Sequence, residues 1–332
     1  MDRSPSIPGP LKLAGALFTL SSLVFAGVLI VRNGGNFAAQ WTELRAAGWS
    51  LHLGWLGLSL AIATANLFLL GAVWVWLLRE LGGSIGYVEG IRVWSWTNLG
   101  RYLPGKVWQI SALAVYMRQQ RQAAGIALGS SIALQILMLA TGAVLAFAVL
   151  GVRLADGSPG MIIGALVMAA GGLAVALRPG MIVRLSRWLA ERAGEPWPGA
   201  DLSRRVVWSA GGLTCVSWLL YGFGLWCLWR GVGGTGGPDP WLWTGMFAAA
   251  YLVGYVALFA PAGLVVREAS LATLLVALGG IPLGAATGIA LASRLWTVAS
   301  ELITAGLAWV VPGGKQGHGH VASEETGGRG PR

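Results

Sequence analysis

Stretches of about 20 or more predominantly apolar residues recur along most of this chain, and a stretch of that length matches the thickness of a bilayer. In lipid every backbone polar group must be satisfied within the protein, which leaves the helix as the default spanning element. The clearest stretches are 13–31, 51–78, 126–151, 160–177, 206–229 and 283–311. With 55% hydrophobic and 11% charged residues over 332 positions, the chain is far more apolar than a soluble core requires. The expected fold is all-α: a polytopic membrane helix bundle. Arg3 and Lys12 precede the first stretch as they would precede a signal peptide, but 13–31 is long for one and runs into VRNGGN without a small-x-small cleavage pattern, so it reads as a retained span.

The same composition excludes several function classes. A formal net charge of +10 could suggest nucleic acid, yet the cations gather in short gaps between apolar stretches, as cytoplasmic loops do. The expected partner is an anionic lipid surface, not nucleic acid. Cys215 and Cys227 share one apolar stretch, which argues against a disulfide framework, and His52, His318 and His320 have no carboxylate or thiol at ligand spacing. Neither a metal nor a cofactor is expected. The glycine-rich stretches GGTGGP and GGIPLGAATG lack the lysine and hydroxyl residue of a phosphate-binding loop. Asp2, Asp156, Asp201 and Asp239 fall in loops or at the terminus without pairing, so metal-assisted group transfer is disfavoured and the chain is not expected to be an enzyme.

Two interrupted regions, about 83–120 and 240–279, stand between the ordinary spans. Each holds a Pro-Gly break beside charge: RYLPGKVWQ at 101–109 and APAGLVVREAS at 260–270. They read as re-entrant hairpins or as pairs of short spans. The arginine-rich segment 178–205 should be cytoplasmic. Its Ile182, Val183, Leu185, Trp188 and Leu189 share a helical face opposite Arg184, Arg187 and Arg192, as in an amphipathic helix lying on the inner leaflet. Counting spans from there puts both termini and the RQQRQ loop inside, at the inner (plasma) membrane, and the GVGGTGGPDP loop outside. The order span, interrupted region, span occurs twice, at about 51–151 and 206–311, in opposite orientations. The expected organisation is one transmembrane domain over 1–311 containing two inverted repeats, and a disordered polar tail over 312–332.

At the first break Arg92, Arg101 and Lys106 surround Asn98, Pro104 and Gly105, with Trp108, Gln109 and Ser111 following. Proline blocks helix continuation and glycine permits close backbone approach. A half-helix starting near Pro104 would aim free amides at an anion, for which phosphate is the natural guest. The competing reading is that the cations snorkel to the interface. At the second break Pro261 and Gly263 precede Arg267 and Glu268, either a self-neutralising pair or an arginine offered to phosphate with the glutamate fixing it. Arg294 and Glu301 are seven apart on the last span and so share a face; with Arg267 and Glu268 they would line one central cavity or form a structural ion network.

NLGRYLPGKVWQ and PAGLVVREASL, followed near 284–301 by an arginine-bearing helix, resemble the lysylphosphatidylglycerol synthase transmembrane family, also called flippase-like, over about residues 10–311. The usual PGGLGxRE reads PAGLVVRE here, and Gln135 stands where a charge is common. The resemblance is to the membrane half of the multiple peptide resistance factor, which moves aminoacylated phospholipid between leaflets. It implies functional roles for Arg101, Pro104, Gly105, Lys106, Pro261, Gly263, Arg267, Glu268 and Arg294, with no synthase activity in this chain. The expected function is a flippase or scramblase for a phosphate-bearing lipid, either an aminoacyl-phospholipid or a polyprenyl-phosphate-linked lipid, working beside a separate lipid-modifying enzyme. Arg101, Lys106, Gln109 and Arg267 would bind the lipid phosphate. The alternatives are a membrane enzyme acting on polyprenyl-phosphate lipids and a non-catalytic partner in envelope lipid biosynthesis.

Overall fold

The computed structural model describes residues 50–102, 107–119, 123–154, 178–192, 194–256 and 266–311, together with the single positions 163, 167 and 174. Among these residues the chain is helical throughout, without strands. In chain order the helices are α1 (Leu53–Glu80), α2 (Tyr87–Asn98) with a 3-10 turn at Leu99–Tyr102, α3 (Val107–Gln119), α4 (Ala124–Leu154), α5 (Pro179–Arg192), α6 (Arg204–Gly231), α7 (Pro240–Val256), α8 (Val266–Ala277) and α9 (Leu283–Val310). Among the described residues, three helical segments, Leu53–Glu80, Ala124–Gly151 and Arg204–Gly231, are by length and composition long and apolar enough to cross a membrane. At 28 residues α9 matches α1 and α6 in length, but Arg294, Glu301 and a row of hydroxyls lower its mean hydropathy. The expected spans 13–31 and 160–177 lie outside the described residues, except that Ile163, Val167 and Ala174 are helical.

The long helices stop where the chain can turn left-handed. Past α1, Gly82 adopts φ 101°, and the Gly82 and Gly83 amides donate back to Arg79 O and Leu78 O. This arrangement satisfies terminal carbonyls at little steric cost only with glycine. Gly233, φ 89°, does the same past α6, whose N-terminus is capped by Ser203 Oγ accepting from the Val206 amide at 3.3 Å.

α1 and α6 pack antiparallel along their lengths. The His52 amide donates to Gly231 O at 2.9 Å and Ser59 Oγ to Gly224 O at 2.7 Å. The bundle therefore has a Gly231 end and a Leu81 end, the latter marked by the Ala200 amide donating to Leu81 O. α7 leaves from the Gly231 end, where Trp229 and Trp243 lie 5.9 Å apart, and α8 returns to it, with Gly279 against Pro238. α2 leaves from the Leu81 end, and α3 returns to it, where Arg118 pairs with Glu195. The two interrupted regions are thus helical hairpins entering from opposite ends.

Their described arms hold 12 and 13 residues in α2 and α3 and 17 and 12 in α7 and α8. At 1.5 Å per residue the arms run about 18–26 Å, short of a hydrocarbon core of about 30 Å. Of the two expected forms, re-entrant hairpins fit these lengths. The breaks themselves, 103–106 and 257–265, lie outside the described residues.

The segment 178–205 departs from expectation. α5 buries Ile182, Val183, Ser186 and Ala190 on α4, leaving Leu185 and Trp188 exposed. The helix packs on the bundle through its small and branched side, and Arg192 covers the Trp188 ring at 4.7 Å. Hydrophobicity alone placed all five apolar residues on one face; packing on α4 divides them between two.

Candidate functional site

Arg267 is the second residue of α8, and both it and Glu268 are buried, at 8% and 9% exposure. The first turn of α8 reaches this depth because α7 presents a glycine to it. A Cβ on Gly254 would stand 2.7 Å from Arg267 Cβ, a separation that real side chains do not adopt. The guanidinium lies over the Phe247 ring at 4.8 Å. Its Nε and Nη2 are buried and meet no hydrogen-bond acceptor among the described residues.

An aromatic shell surrounds this group. Tyr221 of α6 lies 5.3 Å from Phe247 and 6.3 Å from Trp296 of α9, and Trp218 lies 5.2 Å from Tyr251. Trp218 is pinned by its indole N–H, which donates to Met138 O at 3.0 Å. Phe247 and Trp296 meet edge to face at 6.3 Å. Sequence reading missed this shell, although Trp218 with Tyr221 and Phe247 with Tyr251 carry the one-turn spacing that puts two rings on one helical face. What the spacing could not show was which helices face one another.

Glu268 and Arg294 lie within electrostatic reach of Arg267, and Glu301 is buried on α9 two turns beyond Arg294. Arg267, Glu268 and Arg294 thus lie near one another around the α8–α9 contact. Among the described residues, a wide, shallow depression lined by Leu51, His52, Leu53, Gly54, Trp55 and Leu58 lies at the Gly231 end of α1.

Burying an ion costs several kcal/mol, and each unmatched donor costs about 1–3 kcal/mol. Phe247 offsets part of this through its ring face, worth about 2 kcal/mol when desolvated. A planar guanidinium with two unmatched N–H groups suits a phosphate or carboxylate, which can accept from both.

At the first break the structure separates the cations. Arg92 Nε donates to Ala308 O at 3.1 Å and Nη2 to Val311 O at 2.6 Å, so this residue caps the C-terminus of α9. It also pairs with Glu89 at 3.2 Å and lies over Trp309 at 5.5 Å. Glu89 in turn accepts from the Tyr116 hydroxyl of α3. Arg92 therefore does not belong to an anion site: four unmatched carbonyls and the negative end of the α9 dipole attract it. Arg101 lies in the 3-10 turn and Gln109 in the first turns of α3; Pro104, Gly105, Lys106, Pro261 and Gly263 lie outside the described residues.

Long apolar helices, two opposed broken hairpins and charges buried between helices define a polytopic helical membrane protein. A family model described as the lysylphosphatidylglycerol synthase TM region matches residues 13–304, and the chain belongs to that family. The family is one of membrane proteins of lipid metabolism or transport. No curated protein and no solved structure matched the chain.

Proposed function

We propose that this protein is a lipid translocase of the plasma membrane, with both termini cytoplasmic, moving a phosphate-bearing lipid between leaflets and catalysing no covalent step. The observation that carries the reading is Arg267, a buried guanidinium with two unmatched N–H groups in an aromatic shell, at the start of the second arm of a hairpin. Broken helices whose ends face the bilayer interior are where transporters bind polar cargo. The lipid phosphate would engage Arg267, with Glu268 and Arg294 setting the local field and Glu301 further along α9. The cations of the other hairpin, Arg101 and Lys106, with Gln109 and the break at Pro104 and Gly105, would hold it at the opposite end. Hairpins opening at opposite ends suit an inverted-repeat architecture, in which one unit opens to each side. The cargo is an aminoacyl-phospholipid or a polyprenyl-phosphate-linked lipid delivered by a separate enzyme.

The test is reconstitution into liposomes with fluorescent phospholipids and native lipid extracts, reading leaflet exposure with a membrane-impermeant quencher. Acceleration over protein-free liposomes is expected, with loss of about tenfold or more in Arg267→Ala and in Arg101→Ala, and partial retention in Arg267→Lys. No acceleration for any lipid sinks the translocase reading. Full activity in both alanine variants sinks the site assignment.

A further inference from the structure

The α1–α6 seam repeats every seven residues, two helical turns, in both directions. His52 is bonded to Gly231, and seven residues on, Ser59 is bonded to Gly224. The next step along both antiparallel helices brings Asn66 to Ser217, and the one after brings Val73 to Ala210. Asn66 and Ser217 are both at 0% exposure. The first two steps of this register are closed by hydrogen bonds, and the fourth sets two buried apolar residues, Val73 and Ala210, opposite each other. The third is neither: Asn66 Oδ1, Asn66 Nδ2 and Ser217 Oγ are buried with no hydrogen-bond partner among the described residues. Turning the amide over changes nothing, since both of its ends are unmatched. Trp296 Nε1 is also unmatched, and its ring stands against Gly224 two turns above Ser217, where a Cβ would come within 2.8 Å.

The unmatched atoms at the Asn66–Ser217 step comprise an amide N–H2, a carbonyl oxygen and a hydroxyl. None is charged, and donors and acceptors are mixed. An ammonium would leave the donors unmatched, and a phosphate would leave the amide oxygen unmatched. A hydroxyl matches both, because it donates one hydrogen bond and accepts two. We infer that the Asn66–Ser217 seam is a binding site for a neutral hydroxyl group, filled by a lipid headgroup hydroxyl during passage or by water. Trp296, against the neighbouring step at Gly224, in turn meets Phe247, the ring beneath the Arg267 guanidinium, at 6.3 Å. The existence of the site stands apart from the translocase reading; only its role in passage rests on it.

The experiment places Ser217→Cys, nearly isosteric, in the full chain with Cys215 and Cys227 replaced by serine, and compares it with Ala210→Cys one register step away. A small hydrophilic methanethiosulfonate is applied in liposomes, alone and with phosphatidylglycerol, which carries a small diol headgroup, or phosphatidic acid, which carries none. Labelling at position 217 at least about tenfold faster than at 210 is expected, since a thiol in a hydrated or ligand-ready site reacts as a thiolate and a dry one does not. Slowing by phosphatidylglycerol but not by phosphatidic acid assigns the site to the headgroup hydroxyl; no slowing by either assigns it to water. Equal, slow labelling at 217 and 210 means the seam is dry and overturns the inference. None of these readouts requires transport, so failure of lipid movement in the quencher assay counts against the translocase reading alone.

Discussion

Removing Arg92 should destabilise the protein by uncapping α9, without touching the site at Arg267. The side chain is 19% exposed, so its interactions are partly shielded from water. Its bond to Ala308 O, 3.1 Å, is charge-assisted and mostly buried, and such bonds contribute about 1.5–3 kcal/mol. The bond to Val311 O, 2.6 Å, lies at an exposed terminus, where about 0.5–1 kcal/mol is realistic. A cation at the C-terminal end of the α9 dipole adds about 0.3–1 kcal/mol. Arg92→Ala should therefore cost about 2–5 kcal/mol in equilibrium unfolding in mixed detergent micelles, which is large for a single substitution. Arg92→Lys keeps the charge but loses the fork that reaches two carbonyls, and should recover about half of that loss. Lipid movement per folded molecule should stay within about twofold of wild type, a change of about 0.4 kcal/mol in the barrier. If Arg92→Ala unfolds within about 0.5 kcal/mol of wild type, the capping argument is wrong. If it leaves stability intact and abolishes lipid movement, Arg92 belongs to an anion site after all.

Further substitutions probe the packing and capping of the helices. Gly254→Ala sets a Cβ 2.7 Å from Arg267 Cβ and should cost about 1–3 kcal/mol by overpacking, whereas Gly284→Ala, with nothing within 4 Å, should be neutral or stabilising in the same unfolding assay. Phe247→Leu removes the ring face beneath Arg267 and should destabilise by about 2–4 kcal/mol, with the Phe247→Tyr variant retaining the ring contact; equal losses in the two would mean that the ring face does not matter. Ser203→Ala deletes the cap of α6 and should cost about 1 kcal/mol, measured by unfolding and by faster amide exchange at Val206.

The apolar stretches at 51–78, 126–151, 206–229 and 283–311 became α1, α4, α6 and α9 with ends displaced by at most three residues. They were legible because length and composition alone decide whether a segment suits lipid, and because Gly82 and Gly233 stand just past two of the ends. The hairpins were legible as interruptions, since proline and glycine act locally. Arg92 was not legible: its partners are carbonyls 216 and 219 positions away, and no side-chain pattern advertises a backbone acceptor. The aromatic shell failed for a related reason. Each ring pair is visible on its own helix, but the shell exists only because α6, α7 and α9 converge on α8. The match of Asn66 to Ser217 likewise depends on the antiparallel register of α1 and α6, which the bonds at His52 and Ser59 fix and the sequence does not.

The described charges of the two hairpins are held in physically different ways. Glu89 and Arg92 are 30% and 19% exposed, and Arg118, at 62%, meets Glu195 near the Leu81 end. Ion pairs with that much access to water contribute about 0–1 kcal/mol, because water replaces the partner when they part. The described part of the first hairpin can therefore shift against α9 at modest electrostatic cost, apart from the Arg92 cap. Arg267 and Glu268 have no such substitute, being at 8% and 9% exposure inside the aromatic shell. Any anion that enters beside Arg267 changes the energy of the second hairpin by far more than it changes the first. α9 touches both, meeting α8 near Arg294 and α2 at its C-terminus. Coupling between distant sites needs an element whose position both can bias, and α9 is the helix that meets that condition here. Ligand charge would thus be sensed at the second hairpin and accommodated at the first, through the packing of α9 on α8 and α2.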